Sequence, residues 1–115
     1  MNAAYTDMEQ LAKLCNGDQN RMQRYIRMFL QGTPGLFEQM RTAQAAADLE
    51  GLSRTAHGLK PQAQYMGARL LNDRLQLLEN VARAGDLTAS ASALDECVRI
   101  HAEVMNELNA VVDSR

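Results

Sequence analysis

Apolar residues recur along this chain at three- and four-residue spacing, the period of amphipathic helices, and no segment alternates with the period of two that a half-buried strand would show. Thr6, with Glu9 three residues on, forms a capping box for a short first helix striped by Met8, Leu11, Ala12 and Cys15. Asn16-Gly17-Asp18 ends it. A second helix is predicted from about Gln19 to Gln31, with Met22, Tyr25, Ile26, Phe29 and Leu30 on one face. Gly32-Thr33-Pro34 breaks it, Thr33 capping a third helix that has Pro34 in its first turn and buries Leu36, Phe37, Met40 and Ala43 or Ala47. Asp48 caps a fourth, striped by Leu52, Ala56, Leu59, Ala63 and Met66 and stopped at Gly67. The fifth carries Leu71, Leu75, Leu78 and Ala82 and stops at Gly85-Asp86; the last buries Leu94, Val98, Met105, Leu108 and Val112. Short connections make successive helices antiparallel. The expected fold is all-α: an up-and-down four-helix bundle with one or two additional N-terminal helices packed across an end.

Composition narrows the function more than the fold. At 115 residues the chain suits one domain, 1–115. With 46% hydrophobic residues, disorder is excluded, and a net charge of −2 argues against nucleic acid as a partner. No apolar run approaches the ~20 residues that span a bilayer, and MNAAYTDMEQ is no leader, so no membrane role and a cytoplasmic location are expected. Met1 favours a free-standing protein. Cys15 and Cys97 belong to no metal-ligand or C-x-x-C spacing and sit in apolar runs, as free thiols would in a reducing compartment, although one disulfide is left open.

The fourth helix carries the chemistry. With His57 at zero and 100° per residue, its apolar stripe falls at roughly 180–260°, whereas Ser53, Arg54, Lys60, Pro61 and Gln64 lie within roughly 60° of the imidazole. His57 therefore projects from the face opposite the core, with a lysine one turn away that can neutralise charge on a transferred group. Gly58 and Gly67 clear space for an approaching surface, and Arg54 is a further docking candidate. An exposed helical histidine usually does nothing; exposure, a free nitrogen and a nearby cation together are what a nucleophile needs.

The stretch AHGLKPQAQYMGA, Ala56 to Ala68, resembles the signature of histidine-containing phosphotransfer (HPt) domains: a His, a Lys three residues later, a Gly ten residues later, then a small residue. His57, Lys60, Gly67 and Ala68 match it. The flanks NGDQNRMQRYIRMFL, AAADLEGLSRTAH and LLENVARAGDL are similar to the family as well, so the resemblance covers about residues 7 to 110. It departs at Pro61, where the family usually has Gly; a proline here opposes the carbonyl of His57, and a local kink or widened turn is expected.

The resemblance implies a phosphocarrier without kinase activity of its own. A neutral nitrogen of His57 would take a phosphoryl group from a receiver-domain aspartate and yield it to another. No resident cofactor is implied, because the receiver would supply Mg²⁺, and Lys60 would stabilise the phosphoryl charge. The partners implied are response-regulator receiver domains or a hybrid histidine kinase, met by a monomer. The second ring nitrogen should be tied to an acceptor on the following helix, ten to twelve residues past Gly67, where Gln76 and Glu79 are the polar choices; Glu79 is favoured because the family often has a polar acceptor there. Gln64 is a further candidate for contact with the phosphoryl group. Docking would involve Arg54, Gly58, Pro61 and Gly67.

Other readings carry less. His101 lies on the last helix's apolar stripe and is expected to be a hydrogen-bonded core residue. Met28 falls off its helix's apolar face near Arg21 and Arg24, and is a candidate for a docking patch. Kinase dimerisation helices usually place an acidic residue directly after the His, where this chain has Gly58. The alternative of another kind is a non-transferring interaction module that binds a receiver or kinase without accepting phosphate.

Overall fold

The computed structural model describes residues 4–113, and these form five helices: α1 (Met8–Leu14), α2 (Gln19–Ala45), α3 (Leu49–Tyr65), α4 (Arg69–Arg83) and α5 (Leu87–Asp113). Helices α2 to α5 pack in the cyclic order α2–α3–α4–α5–α2, each antiparallel to the next, and α1 lies against α2 and α3. This is the expected bundle with one additional N-terminal helix. The molecule measures 42 × 28 × 21 Å, and its long axis matches the ~40 Å of a 27-residue helix such as α2 or α5. One core joins Ile26, Phe29 and Met40 of α2 to Leu52 and Leu59 of α3, Leu71, Leu75 and Leu78 of α4, and Ile100, Val104 and Leu108 of α5. Cys15 and Cys97 are free and buried. No helix among the described residues is long and apolar enough to cross a membrane.

Two expectations about helix boundaries are corrected. The second and third expected helices are one, because α2 runs through Pro34. A proline inside a helix costs about 3 kcal/mol. Here the Thr33 hydroxyl bonds the Phe29 carbonyl at 2.7 Å, and Phe29, Thr33, Phe37 and Met40 are all buried along one line of the helix. Burying a large apolar side chain is worth about 1.5–3 kcal/mol, so two or three such residues beyond the proline hold the helix together. At α1 the cap is Asp7, whose carboxylate accepts from the N–H groups of Glu9 and Gln10. Thr6 is diverted: its hydroxyl donates to Glu107 of α5 at 2.8 Å.

The core stripes also shift. Tyr25 faces outward while Gln23 is buried, and on α5 the fully buried positions include Cys97, Ile100 and Val104 beside Leu94 and Leu108, with Val98, Met105 and Val112 at the margin. Asp48 caps α3 as expected, accepting from Gly51 N–H at 2.9 Å, and Gly67 separates α3 from α4 in the left-handed region with φ +64°.

Candidate functional site

Helices α3 and α4 run antiparallel away from Gly67, so a residue ten before that turn stands level with one twelve after it. His57 and Glu79 are such a pair: His57 Nδ1 lies 3.0 Å from Glu79 Oε2. The imidazole is 62% exposed, whereas the Glu79 side chain is 2% exposed. A carboxylate so deep is tolerated only when paired. The Lys60 ammonium sits 2.8 Å from Glu79 Oε1 and the Arg83 guanidinium 2.8 Å from Oε2. The Lys60 ammonium also donates to Gln76 Oε1 at 2.7 Å, and Gln76 in turn bonds Asn80 at 2.9 Å.

Burial pushes the Glu79 carboxyl upward, but Lys60, Arg83 and the His57 hydrogen bond together outweigh it and hold its pKa below the ordinary carboxylate value. An ionised carboxylate only accepts hydrogen bonds. Nδ1 therefore carries the proton in the neutral ring, and the lone pair is on Nε2, the nitrogen turned away from Glu79.

Of the residues singled out in the sequence, His57, Lys60, Gln76 and Glu79 are brought together. Gln64 is not: it lies two turns beyond His57, bordering a separate hollow with Gln10, Arg69 and Asp73, and its carbonyl takes the Gln10 side chain. Gly67 is also displaced from the docking face. It is buried, and a Cβ there would meet Asp7, whose backbone nitrogen would be 2.8 Å away; its smallness serves the α1 contact. At Gly58, exposed beside His57, a Cβ would meet nothing, so nothing within the chain requires a glycine there. Pro61 is exposed one turn past His57, and α3 continues through it to Tyr65 as α-helix, without a widened turn.

Arg54 pairs with Glu50 at 3.1 Å. Together with Ser53, His57, Ala82 and Arg83 these two line an open cleft on the N-terminal side of the imidazole. On the other side, Tyr25 and Tyr65 stack with centroids 6.2 Å apart, and with Met28 and Phe29 they line an apolar hollow. Met28 is exposed, as expected. Arg83 was not anticipated, although its position four residues after Glu79 on a helix is a readable signal for an ion pair.

The remaining histidine is structural. His101 is buried, its Nε2 lies 2.8 Å from the Thr33 hydroxyl, and its ring stacks on Phe37 with centroids 4.1 Å apart.

Comparison with known proteins bears on the fold and the family. Among solved structures, histidine-containing phosphotransfer protein B (HptB) from Pseudomonas aeruginosa PAO1 superposes with a TM-score of 0.90 at 24% sequence identity, over 99% of each chain. At that identity the likeness is one of fold. No curated protein matches the chain. The family profile described as Hpt domain matches residues 24–114, which span all four bundle helices except the first turns of α2 and include the His57–Glu79 pair. By that match, this chain belongs to the Hpt domain family.

Proposed function

We propose that the protein is a phosphocarrier in a multistep phosphorelay, with His57 as its phosphoacceptor. One observation carries the reading: a solvent-facing imidazole whose Nδ1–H is tied to a buried, ionised carboxylate, leaving Nε2 as an outward lone pair. That nitrogen attacks the phosphorus of a receiver's aspartyl phosphate. The new N–P bond forms as the P–O bond to the aspartate breaks, and the electron pair leaves with the carboxylate. No proton has to move. The ring keeps its Nδ1 proton and becomes cationic, and Glu79 supplies the compensating charge at 3.0 Å. Transfer onward to a second receiver is the reverse step.

The receiver brings Mg²⁺ and its acidic pocket, so the domain needs no metal of its own. The partner sits on the outer face of α3, where Gly58 and Pro61 keep the surface low beside His57 and the Tyr25–Met28–Tyr65 ledge offers apolar contact. Such docking is transient, on the order of 1,200 Å² or less in total, and suits a cytoplasmic monomer.

The test is incubation of the purified chain with phosphorylated receiver domains and Mg²⁺ beside a His57→Gln variant. The expected result is an acid-labile, base-stable label on the wild type and none on the variant. Binding without label would replace this reading with that of a non-transferring interaction module.

A further inference from the structure

The sequence directs attention to Lys60 as the cation for a transferred phosphoryl group; the structure directs it to the opposite flank of the ring. We propose that Arg83 is the residue that grips the phosphoryl group on His57 Nε2, exchanging its ion pair with Glu79 for bonds to phosphoryl oxygens. The inference rests on His57 being the acceptor.

Lys60 is already committed. Its side chain is 18% exposed and held between Glu79 at 2.8 Å and Gln76 at 2.7 Å. Arg83 is 64% exposed and meets Glu79 through one guanidinium nitrogen. A guanidinium has five N–H donors in a planar fork that matches two phosphoryl oxygens at once. Its distance from the reaction is short, because Arg83 Nη2 and His57 Nδ1 both lie against one oxygen, Glu79 Oε2, at 2.8 and 3.0 Å. The cleft that Arg83 lines with Ser53 and Arg54 opens directly beside the imidazole. The group therefore arrives next to a cation that has donors to spare and room to turn.

Charge makes the exchange self-timed. In the neutral ring that reacts, His57 brings Glu79 no charge, and the carboxylate relies on both Lys60 and Arg83 against its burial. On transfer the ring becomes a cation hydrogen-bonded to Glu79, while a phosphoryl group carrying about −2 appears at Nε2. Glu79 gains a charged partner as the phosphoryl group acquires its need for one. Arg83 moves between the two without making a covalent bond or passing a proton.

The test uses the full chain labelled with phosphoramidate, a small donor that needs no receiver. The second ionisation of the phosphohistidine is followed by ³¹P NMR in the wild type, Arg83→Ala, Arg83→Gln and Lys60→Ala. A bound guanidinium favours the dianion, so both Arg83 variants should shift that ionisation upward by about 0.5–1 pH unit, and Lys60→Ala by less. The Nδ1–H signal of His57 should persist in the Arg83 variants, which separates a phosphoryl contact from lost positioning of the ring. Arg83→Gln keeps most of the side-chain stem if Arg83→Ala disturbs the bundle. Arg83 variants that titrate with the wild type, or a larger shift in Lys60→Ala, overturn the inference alone. A wild-type chain that takes no phosphoryl group from phosphoramidate overturns the acceptor reading and this inference with it.

Discussion

At the scale of single residues, the two histidines show how environment divides one side chain between two tasks. His57 faces solvent and is anchored from below by a carboxylate. His101 is sealed between helices, and burial pushes its pKa down from 6.5 to about 4. The Thr33 hydroxyl spends its proton on the Phe29 carbonyl and so accepts from His101 Nε2–H, which fixes the tautomer, while burial is what disfavours the charged ring. The sign of the pH effect follows. The unfolded chain binds a proton at His101 near pH 6.5 and the folded chain only near 4, so stability contributed above pH 6.5 is lost as pH falls through that window. The full loss is up to about 3 kcal/mol. The lowered pKa of Glu79 acts in the same direction but below its ordinary value of 4.5, which separates the two. Urea unfolding from pH 7 to 4 should show this slope in the wild type and a flattened one in His101→Gln; parallel curves would remove His101 as its source.

At the scale of elements, four helix ends share one device. After α1, α2, α3 and α4 the chain turns left-handed at Asn16, Ala47, Gly67 and Gly85, with φ between +51° and +77°. In each case the next residue's N–H bonds a carbonyl five residues back: Gly17 to Ala12, Asp48 to Ala43, Ala68 to Ala63 and Asp86 to Val81. This is the Schellman closure, which favours glycine because a Cβ is strained there. Two of the four positions are glycine and one is asparagine; Ala47 alone lacks a residue suited to it. Ala47→Gly should therefore stabilise the protein by about 0.5–1 kcal/mol, the relief of strain exceeding the added freedom of the unfolded chain. Thermal unfolding should move up by about 2–5 °C. An unchanged or lowered midpoint would mean that Ala47 bears no strain.

At the scale of the whole molecule, the N-terminal arm ties the site helix to the far end of the last helix. Glu107 on α5 accepts from Tyr5 N–H at 2.6 Å, Thr6 N–H at 2.9 Å and the Thr6 hydroxyl at 2.8 Å. Asp7 N–H then reaches the Met66 carbonyl at 2.9 Å, where α3 turns towards α4. Within α1 only Leu11 is fully buried, with Cys15 just past its end and Met8 and Ala12 at the margin, so these polar links add to a small apolar contact. Glu107→Ala should speed hydrogen exchange in α1 by roughly tenfold or more while leaving the inner turns of α3 and α4 protected. Equal protection in both proteins would show that apolar packing alone holds α1 in place.

Helix content, the punctuation at Asp48, Gly67 and Gly85, and the placing of His57 opposite the apolar stripe were all legible from the order of residues. Each depends on local geometry: a period of 3.6, a cap, a residue able to turn left-handed. The match of His57 with Glu79 was half legible, since helix rise sets the two at similar heights but admits Gln76 as well, and only the family resemblance favoured Glu79. What needed the assembled bundle was everything set by neighbours distant in sequence. Pro34 stays inside α2 because residues beyond it are buried in the bundle core, and Thr6 abandons its cap because Glu107 stands opposite it. Glu79 remains ionised beneath the surface because Lys60 comes across from α3 to join Arg83, its neighbour one turn along α4. Short-range rules set where helices start and stop on average; burial and charge pairing across the bundle, worth several kcal/mol at a single position, overrule them where the two conflict.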